Sequence, residues 1–377
     1  MNILFIETHL SPHNGGIERV SYRLGSYFSS QGIECYYLFW NNDSDVIDIE
    51  HKVYLGNTKL TFFQYRKILF NCIKKWKINI IINQQIFSDS LWFILNEIKK
   101  RRLCKIITCL HQPPNVYQYI PSLPMSKRYI LYKFTRLFPI TFTDRVRKYC
   151  DLSDCFVLLS NSFIEDFKKI YKPKFESHLI AIPNPCTFDS CISIDELSLK
   201  KNQVLIVSRF WEKQKNICAA LRIWKQIEKM MQLNWELIIA GNGQDEETIR
   251  QYALSIGLKR CRFIGAVSNP LSLYKTSKIF LMTSHFEGFG MTLIEALQNG
   301  CVPVVFDTFN AVHDIIKDGS NGFIIPPYDE NLFASKVILL MNNEKMWLKI
   351  AQQAIGSVSS FQLDVIGQHW LKILTRL

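Results

Sequence analysis

Length, composition and charge set the first limits on this chain. Its 377 residues are too many for one ordinary hydrophobic core, and 48% of them are hydrophobic, so we expect two domains of roughly 180 residues each. No apolar run approaches the roughly 18 residues that span a bilayer, and Glu7 follows the first residues too soon for a signal peptide. The formal net charge of +12 is concentrated in residues 1–185, where 25 Lys and Arg face 15 Asp and Glu.

The eleven cysteines show no metal-binding or redox motif. None belongs to a Cys-x-x-Cys pair, and most stand among apolar residues, as Cys72, Cys104 and Cys301 do. We interpret them as reduced core residues, which favours a cytoplasmic protein.

Predicted strands and helices alternate in the first half of the chain. Short apolar runs predict strands over residues 3–7, 35–40, 78–82, 105–109 and 156–159, with helices over 18–31, 62–75 and 91–100. This alternation predicts a parallel sheet in an α/β domain. Gly15 and Gly16 follow the first strand and allow close backbone approach to a ligand, although they lack the full G-x-G-x-x-G spacing of a dinucleotide site.

A histidine follows one of these strands. His111 and the polar cluster at Gln84 would open onto the same edge of the sheet, where α/β proteins bind ligands. By itself, a histidine at a strand end is more often structural than catalytic.

Residues 126–148 combine basic and aromatic side chains. One acid, Asp144, faces the cations Lys127, Arg128, Lys133, Arg136, Arg145, Arg147 and Lys148. This mixture is typical of an amphipathic surface on anionic lipid, and it equally suits a solvated face above core aromatics. A basic patch also suits nucleic acid, but no RNA-binding signature accompanies it, so we expect no nucleic-acid partner.

The second half begins after a hinge at Ile182-Pro183-Asn184-Pro185, where prolines break regular structure. Apolar runs predict strands over residues 204–207, 235–240, 262–267, 279–282 and 300–306. Arg209 follows the first of these, and either Lys213 or Lys215 follows closely. One guanidinium fork and one point charge are suited to holding a diphosphate.

One carboxylate lies just before a predicted helix, and a second lies within the first turns of the same helix. After the strand over residues 279–282, Gly288 and Gly290 allow a tight turn before this helix. Free amides at a helix N-terminus favour a phosphate, whereas Glu287 and Glu295 can accept hydrogen bonds from sugar hydroxyls. The pattern indicates a ligand with a sugar at each end of a diphosphate. The alternative is that both acids serve only solvation and helix capping.

The run from residue 284 to residue 326, with its Glu-x7-Glu pair and its Asn321-Gly322 turn, resembles glycosyltransferase family 4. These are retaining transferases with the GT-B fold, in which two Rossmann-like domains face each other across a cleft. The likeness extends to Gly15-Gly16-Ile17-Glu18-Arg19, to His111, to the hinge and to residues 208–216, so it covers nearly the whole chain. Pro185 and Ser208 depart from it, because many relatives have glycine there.

The resemblance implies a domain division and a set of site residues. The acceptor-binding domain would cover residues 1–186, the nucleotide-sugar domain 187–360, and a last helix over 361–377 would pack back on the first domain. Glu287, His111, Arg209 and Lys215 would be catalytic. The donor would contact Gly15, Gly16, Arg209, Lys215, Gly265, Val267, Glu287, Gly288, Phe289, Gly290, Met291, Leu293 and Glu295.

The roles of these residues follow from the same resemblance. Glu287 and His111 would hydrogen bond to the transferred sugar, and Glu295 would hold the ribose. Arg209 and Lys215 would neutralise the departing diphosphate. No Asp-x-Asp motif is present in the expected place, so we expect transfer without a metal or another cofactor.

The function implied is transfer of a hexose from a nucleoside diphosphate sugar, more often UDP than GDP, to a hydroxyl of a lipid-linked saccharide. Such enzymes build bacterial O-antigen, lipopolysaccharide, capsule or other surface polysaccharides. We expect a cytoplasmic protein that is peripheral on the inner face of the cell membrane. The alternatives are a noncatalytic sugar-nucleotide-binding subunit of a membrane assembly complex, or a nucleotide-sugar epimerase on the same fold.

Overall fold

The computed structural model describes residues 1–10, 15–40, 51–55, 60–84, 86, 88–118, 142–230 and 234–377. They form two compact units, Met1–Pro185 with Leu363–Leu377, and Cys186–Gln362. Each unit contains one parallel sheet with helices around it. Within the described ranges, no helix is long and apolar enough to cross a membrane. The eleven cysteines are all free thiols.

The first unit contains a seven-stranded sheet in the order β3-β2-β1-β4-β5-β6-β7. Its strands are β1 (Asn2–Glu7), β2 (Glu34–Phe39), β3 (Lys52–Tyr54), β4 (Ile80–Asn83), β5 (Lys105–Leu110), β6 (Cys155–Leu158) and β7 (Leu179–Ala181). The central strands are largely apolar because helices cover both faces of a parallel sheet. Ile3, Leu4, Phe5 and Ile6 are accordingly fully buried.

Six helices belong to the first unit among the described residues. They are α1 (Gly16–Ser30), α2 (Phe62–Trp76), α3 (Asp89–Lys100), α4 (Phe142–Leu152), α5 (Ser162–Tyr171) and the last helix of the chain (Leu363–Leu374), which is α14 in chain order. Short 3-10 turns occur at Pro114–Gln118 and Glu176–His178.

The last helix packs on α1 and closes the core of the first unit. The ring of Trp370 meets Phe28 edge-on, with 6.4 Å between centroids. Gly367 allows the close approach, because a Cβ there would overlap the ring of Tyr27. Leu363–Leu374 is therefore part of the same unit as β1.

The second unit contains a six-stranded sheet in the order β10-β9-β8-β11-β12-β13. Its strands are β8 (Lys201–Val207), β9 (Glu236–Ala240), β10 (Cys261–Gly265), β11 (Ser277–Met282), β12 (Val302–Phe306) and β13 (Phe323–Ile325). From β8 the sheet grows outward through β9 and β10, and from β11 it grows the opposite way. The strand order thus reverses between β8 and β11, and ligands of open α/β sheets bind at such a point.

Helices connect these strands. They are α6 (Glu212–Lys215), α7 (Ile217–Met230), α8 (Glu246–Ser255), α9 (Leu271–Thr276), α10 (Met291–Gln298), α11 (Val312–Ile315), α12 (Glu330–Asn342) and α13 (Glu344–Ser357), with 3-10 turns at Asp195–Leu199 and Val358–Phe361. Trp224 and Trp347 are completely or almost completely buried in the core of this unit. The indole Nε1 of Trp347 donates to the Lys278 carbonyl over 2.9 Å, which joins α13 to β11.

Candidate active site

The segments that follow β8 and β11 meet at the reversal point of the second sheet. β8 and β11 are neighbours, and the register pairs Leu205 with Phe280. Since both strands are parallel, their carboxyl ends lie at the same edge. This places the segment after Val207 beside the segment after Met282, although the two are far apart in the sequence.

One contact across this point joins a lysine to a glutamate. Lys215 Nζ lies 2.6 Å from Glu287 Oε1, and the Ser284 hydroxyl donates to the same oxygen over 2.6 Å. The side chains are largely buried, with 13% of Lys215 and 9% of Glu287 exposed. Both contacts are to Oε1, and no described residue donates a hydrogen bond to Glu287 Oε2. One carboxylate oxygen is therefore held by the protein, and the second can accept a ligand hydroxyl.

Backbone contacts hold Lys215 in this position. The amide of His285 donates to the Gln214 carbonyl over 2.7 Å, and the Gln214 side chain donates to the Phe286 carbonyl over 3.3 Å. The Glu212 carboxylate accepts from the first amides of α7 at 2.8 and 3.0 Å, which fixes the turn between α6 and α7. Asn216 ends α6 in the left-handed conformation, with φ 48°.

The structure distinguishes between the two lysines that the sequence offered for the diphosphate contact. Lys213 is exposed, and its side chain contacts no hydrogen-bond or ion-pair partner among the described residues, whereas Lys215 is paired with Glu287. Only Lys215 lies beside the other predicted site residues of this unit.

Arg209 combines a tightly packed backbone with a free side chain. Its guanidinium is exposed and has no partner within the ranges that the structure covers. The neighbouring turn requires glycine, because Gly241 has a φ of 140° and a Cβ there would overlap the Ser208 carbonyl oxygen. The amide of Phe210 donates to the Asn242 carbonyl over 2.6 Å. The packing thus fixes the base of Arg209 and leaves its charge available.

The start of α10 forms the floor of the site. Gly290 precedes it with φ 88°, a conformation that favours glycine. Gly288 and Met291 are partly exposed at this turn. Phe289 and Leu293 are buried, so their side chains belong to the core, and any ligand contact at these two positions is left to the backbone. The helix presents free amides to an anion at this end.

Glu295 lies in the second turn of α10 and is 2% exposed. Its Oε2 accepts a hydrogen bond of 2.8 Å from the hydroxyl of Tyr274, which is completely buried. The sequence did not indicate that Tyr274 contacts Glu295, because Tyr274 and its helix α9 belong to no recognised motif. The hydrogen bond from Ser284 to Glu287 was also missed, although residue 284 begins the run that resembles glycosyltransferase family 4.

Gly265 and Val267 lie at the end of β10. Gly265 has φ 78°, a Cβ added to it would meet nothing within 4 Å, and its carbonyl accepts from the Gly241 amide over 2.7 Å. Val267 is 38% exposed. Both residues lie at the end of an edge strand, β10, that β9 and β8 separate from β11.

Two cavities border this sheet. A small one, of about 10 Å³, lies between Ser208, Lys215, Ser284, Glu287 and Thr292. A larger one, of about 750 Å³, lies at the opposite edge beside Lys201, Trp235 and Arg260. The larger cavity shares no residue with the predicted site, so its size does not identify the site.

In the first unit, a series of side-chain hydrogen bonds holds His111 in place. Its Nε2 lies 2.5 Å from Gln84 Oε1, and Gln84 Nε2 donates to the Ser21 hydroxyl over 3.1 Å. Because the amide nitrogen of Gln84 faces Ser21, its oxygen faces His111, and Nε2 carries the ring proton. Nδ1 is buried without a partner among the described residues, and burial lowers the pKa of His111 to about 4. The ring is neutral, with an acceptor nitrogen available.

The two glycines of the first unit open α1. Gly16 is its first residue, and Gly15 is the N-cap, with an extended φ of −177°. A Cβ on Gly15 would lie 2.5 Å from a carboxylate oxygen of Glu18. The segment from 119 to 141, which carries four of the seven predicted basic-patch cations, lies outside the described residues.

Comparison with known proteins shows which family the second unit resembles. The model for "Glycosyl transferases group 1" matches residues 192–356, which include both carboxylates and both cations of the site. The chain is 30% identical over 209 residues to a Campylobacter jejuni GalNAc-alpha-(1->4)-GalNAc-alpha-(1->3)-diNAcBac-PP-undecaprenol alpha-1,4-N-acetyl-D-galactosaminyltransferase, and the match covers 55% of this chain and 58% of that protein. These matches support the predicted resemblance to glycosyltransferase family 4.

Solved structures show the same fold. A lipopolysaccharide outer core galactosyltransferase, WaaB, has a TM-score of 0.74 at 20% identity, over 100% of both chains. The Anabaena protein Alr3699/HepE, in complex with UDP and glucose, has a TM-score of 0.76 at 15% identity, again over 100% of both chains. The predicted α/β fold class, GT-B with two Rossmann-like domains, is confirmed.

Proposed function

We propose that this chain is a retaining glycosyltransferase of family 4 that moves a hexose from a nucleoside diphosphate sugar to an acceptor hydroxyl. The ion pair between Lys215 and Glu287 carries the proposal, because it joins a cation suited to a phosphate with an acceptor suited to a sugar hydroxyl. This pair lies where the strand order reverses, beside the N-terminus of α10.

The donor would lie along this edge with each part beside a different group. The free guanidinium of Arg209, the ammonium of Lys215 and the first amides of α10 would hold the diphosphate. Glu287 Oε2 would accept a hydroxyl of the transferred sugar, and Glu295 would accept the ribose hydroxyls. In the first unit, His111 Nδ1 is a neutral acceptor suited to a sugar hydroxyl.

The chemical step needs no nucleophile from the protein. The acceptor oxygen attacks the anomeric carbon from the face of the leaving group, a new C–O bond forms, and the bond to the phosphate oxygen breaks. The departing phosphate oxygen takes the acceptor's proton. Arg209 and Lys215 stabilise the negative charge that develops there, so we propose that these two cations and the helix terminus supply the positive charge that a metal would otherwise supply.

The donor and the acceptor are proposed from the relatives. UDP is the nucleotide named for the Anabaena structure, and we propose a UDP-sugar here. The name of the Campylobacter relative specifies a saccharide on undecaprenyl diphosphate, which supports a lipid-linked acceptor. The match to WaaB supports a role in bacterial surface polysaccharide synthesis, such as O-antigen or lipopolysaccharide.

A lipid-linked acceptor requires access to a membrane, and we propose peripheral binding at the inner face of the cell membrane. The described cations of the basic patch are already engaged: Arg145 pairs with Asp89, Arg147 pairs with Asp144, and Lys148 lies over the ring of Trp92. The lipid contacts would therefore fall to Lys127, Arg128, Lys133 and Arg136.

Vesicle binding tests the membrane proposal. Co-sedimentation with phosphatidylglycerol vesicles should be strong at low salt and weak at high salt, because surface charges are screened. Replacing Lys127, Arg128, Lys133 and Arg136 with Glu should abolish it, whereas Lys168→Glu and Lys172→Glu, elsewhere on the first unit, should not. Binding that survives the fourfold replacement would contradict the proposal.

A donor screen tests the catalytic proposal. UDP- and GDP-sugars are compared by thermal shift and then by transfer to lipid-linked acceptors, with Glu287→Ala and Lys213→Ala alongside the wild type. The proposal predicts stabilisation by one nucleotide, turnover by the wild type and Lys213→Ala, and none by Glu287→Ala. Binding without transfer to any acceptor would favour a noncatalytic subunit, and conversion of the donor without acceptor would favour an epimerase.

A further inference from the structure

Tyr274 and Glu295 form a buried hydrogen bond at the edge of the proposed donor site. The hydroxyl of Tyr274 lies 2.8 Å from Glu295 Oε2, and the two residues are 0% and 2% exposed. Glu295 follows Thr292 by three residues on α10, so the two lie on one face of the helix. Thr292 borders the small cavity that also contacts Glu287 and Lys215. Glu295 therefore belongs to the site side of α10.

A buried lysine holds the backbone of Tyr274. Lys200 is 6% exposed, and its ammonium donates to the carbonyls of Tyr274 and Ser277, each over 2.7 Å. These carbonyls stand at the end of α9 and at the start of β11. The ammonium thus ties the last turn of α9 to the sheet, and burial lowers its pKa to about 8.

The ring of Tyr274 is held as firmly as its backbone. It packs against Phe280, with 5.8 Å between ring centroids, and edge-on against Phe188, with 6.1 Å between centroids. A tyrosine fixed at both ends offers its hydroxyl in one direction only. Nothing in the packing alone requires that hydroxyl, because phenylalanine fills the same volume.

The chemistry of a carboxylate explains why the hydroxyl is there. A carboxylate on a buried helix face can rotate, and it loses hydrogen bonds to water unless the protein supplies donors. A hydrogen bond to one oxygen satisfies part of this need and fixes the plane of the group. A carboxylate held in one orientation suits two adjacent ribose hydroxyls, which are both donors.

We propose that Tyr274 is a positioning residue that orients Glu295 toward the ribose hydroxyls of the donor nucleotide. This inference rests on the proposed function, because it assigns Glu295 to the ribose. The loss of the Tyr274 hydroxyl should therefore weaken the binding of the 2′- and 3′-hydroxyls of the nucleotide, and not the binding of the base or the diphosphate. The Tyr274 hydroxyl itself does not touch the substrate.

The test compares two nucleotides that differ only in those hydroxyls. Calorimetry measures the Kd of UDP and of 2′,3′-dideoxy-UDP for the wild type, Tyr274→Phe, Glu295→Gln and the double variant. We expect the wild type to prefer UDP. Tyr274→Phe should weaken UDP binding about tenfold, the loss of one hydrogen bond to a charged group, and leave dideoxy-UDP within about twofold. If Tyr274 acts through Glu295, the double variant should match Glu295→Gln.

Tyr149→Phe is the matched control. Tyr149 is also completely buried, and its hydroxyl donates to the Ser88 carbonyl over 2.6 Å in the other unit. Its loss should lower Tm about as much as the loss of the Tyr274 hydroxyl, with both nucleotide affinities unchanged. In turnover assays, Tyr274→Phe should raise the KM of the donor more than it lowers kcat.

Three outcomes would overturn the inference. Equal weakening of both nucleotides by Tyr274→Phe would show a structural effect, and no weakening of either would show no effect on the site. Equal binding of UDP and dideoxy-UDP by the wild type would remove Glu295 from the ribose while leaving the diphosphate site intact. A wild type that binds no nucleoside diphosphate, with GDP and its dideoxy analogue included, would instead refute the proposed function. If Tyr274→Phe does not fold, 3-fluorotyrosine at position 274 replaces it in the test. The inference then requires that this change shifts the affinity for UDP and leaves the affinity for dideoxy-UDP unchanged.

Discussion

Lys215 and Glu287 lie 72 positions apart in the sequence, and their charged atoms Nζ and Oε1 are 2.6 Å apart. The cation belongs to the part of the site suited to a diphosphate and the anion to the part suited to a sugar. Each satisfies the other when no ligand is present. A buried charge that loses its partner is costly, so the two residues are expected to depend on each other for stability as well as for chemistry.

A double-mutant cycle measures this dependence. Glu287→Ala should lower the free energy of unfolding by about 3 kcal/mol, because it leaves the ammonium of Lys215 largely buried without its partner. The double variant with Lys215→Ala should be less unstable than the sum of the single variants by at least about 1 kcal/mol. Urea unfolding provides the values. Strictly additive losses would show that the ion pair does not contribute.

The two neighbouring lysines should differ in their effect on activity. Lys215→Ala should reduce kcat by about 100-fold or more, since it removes a charge from the departing diphosphate. Lys213→Ala is the matched control, and its kinetics should stay within about twofold of the wild type, because its side chain is exposed. Steady-state kinetics at saturating acceptor separate the two. A larger loss for Lys213→Ala would move the phosphate contact to that residue.

The strands that carry the site were predictable from short apolar runs. The run at residues 279–282 lies within β11, and the run at residues 204–207 lies within β8, because the buried part of a parallel strand is a nearly continuous apolar run. The edge strands Lys52–Tyr54 and Leu179–Ala181 were missed. Three residues with partly exposed side chains leave no periodic signal.

The contacts within the site were much harder to predict. Whether Lys213 or Lys215 reaches Glu287 depends on the strand order, which places β8 beside β11, and on the turn of α6. The local periodicity of the sequence carries no information about the order of strands in the sheet. The hydrogen bond from Tyr274 to Glu295 depends on a short helix, α9, that belongs to no motif in the sequence.

The neutral state of His111 should appear as a pH dependence of stability. The folded protein keeps this ring unprotonated down to a pKa of about 4, whereas the ordinary value is 6.5. As the pH falls from 6.5 toward 4, the unfolded chain binds a proton that the folded one does not. The wild type should therefore lose up to about 3 kcal/mol relative to His111→Gln over this range.

Unfolding in urea at several pH values checks this prediction. The difference between the wild type and His111→Gln should be constant above pH 6.5 and should shift in favour of the variant on acidification. A difference that stays the same from pH 7.5 to pH 4.5 would mean that His111 titrates normally in the folded protein.

Two glycines should respond to alanine in opposite ways. Gly241→Ala should cost about 3 kcal/mol or more, because the φ of 140° is unfavourable for alanine and the new Cβ would clash with the Ser208 carbonyl. Gly356 lies within α13 with nothing near a Cβ, so Gly356→Ala should add about 0.5 to 1 kcal/mol. Thermal unfolding compares them. A mild effect at Gly241 would show that the turn holding Arg209 can rearrange.

The stereochemistry of the product tests the central claim most directly. An α-linked UDP-sugar identified by the donor screen is incubated with a lipid-linked saccharide, and proton NMR records the anomeric coupling constant of the new linkage. Retaining transfer predicts an α-linked product from the wild type, one UDP released for each linkage formed, and no product from Glu287→Ala. A β-linked product, or full transfer by Glu287→Ala, would contradict the account.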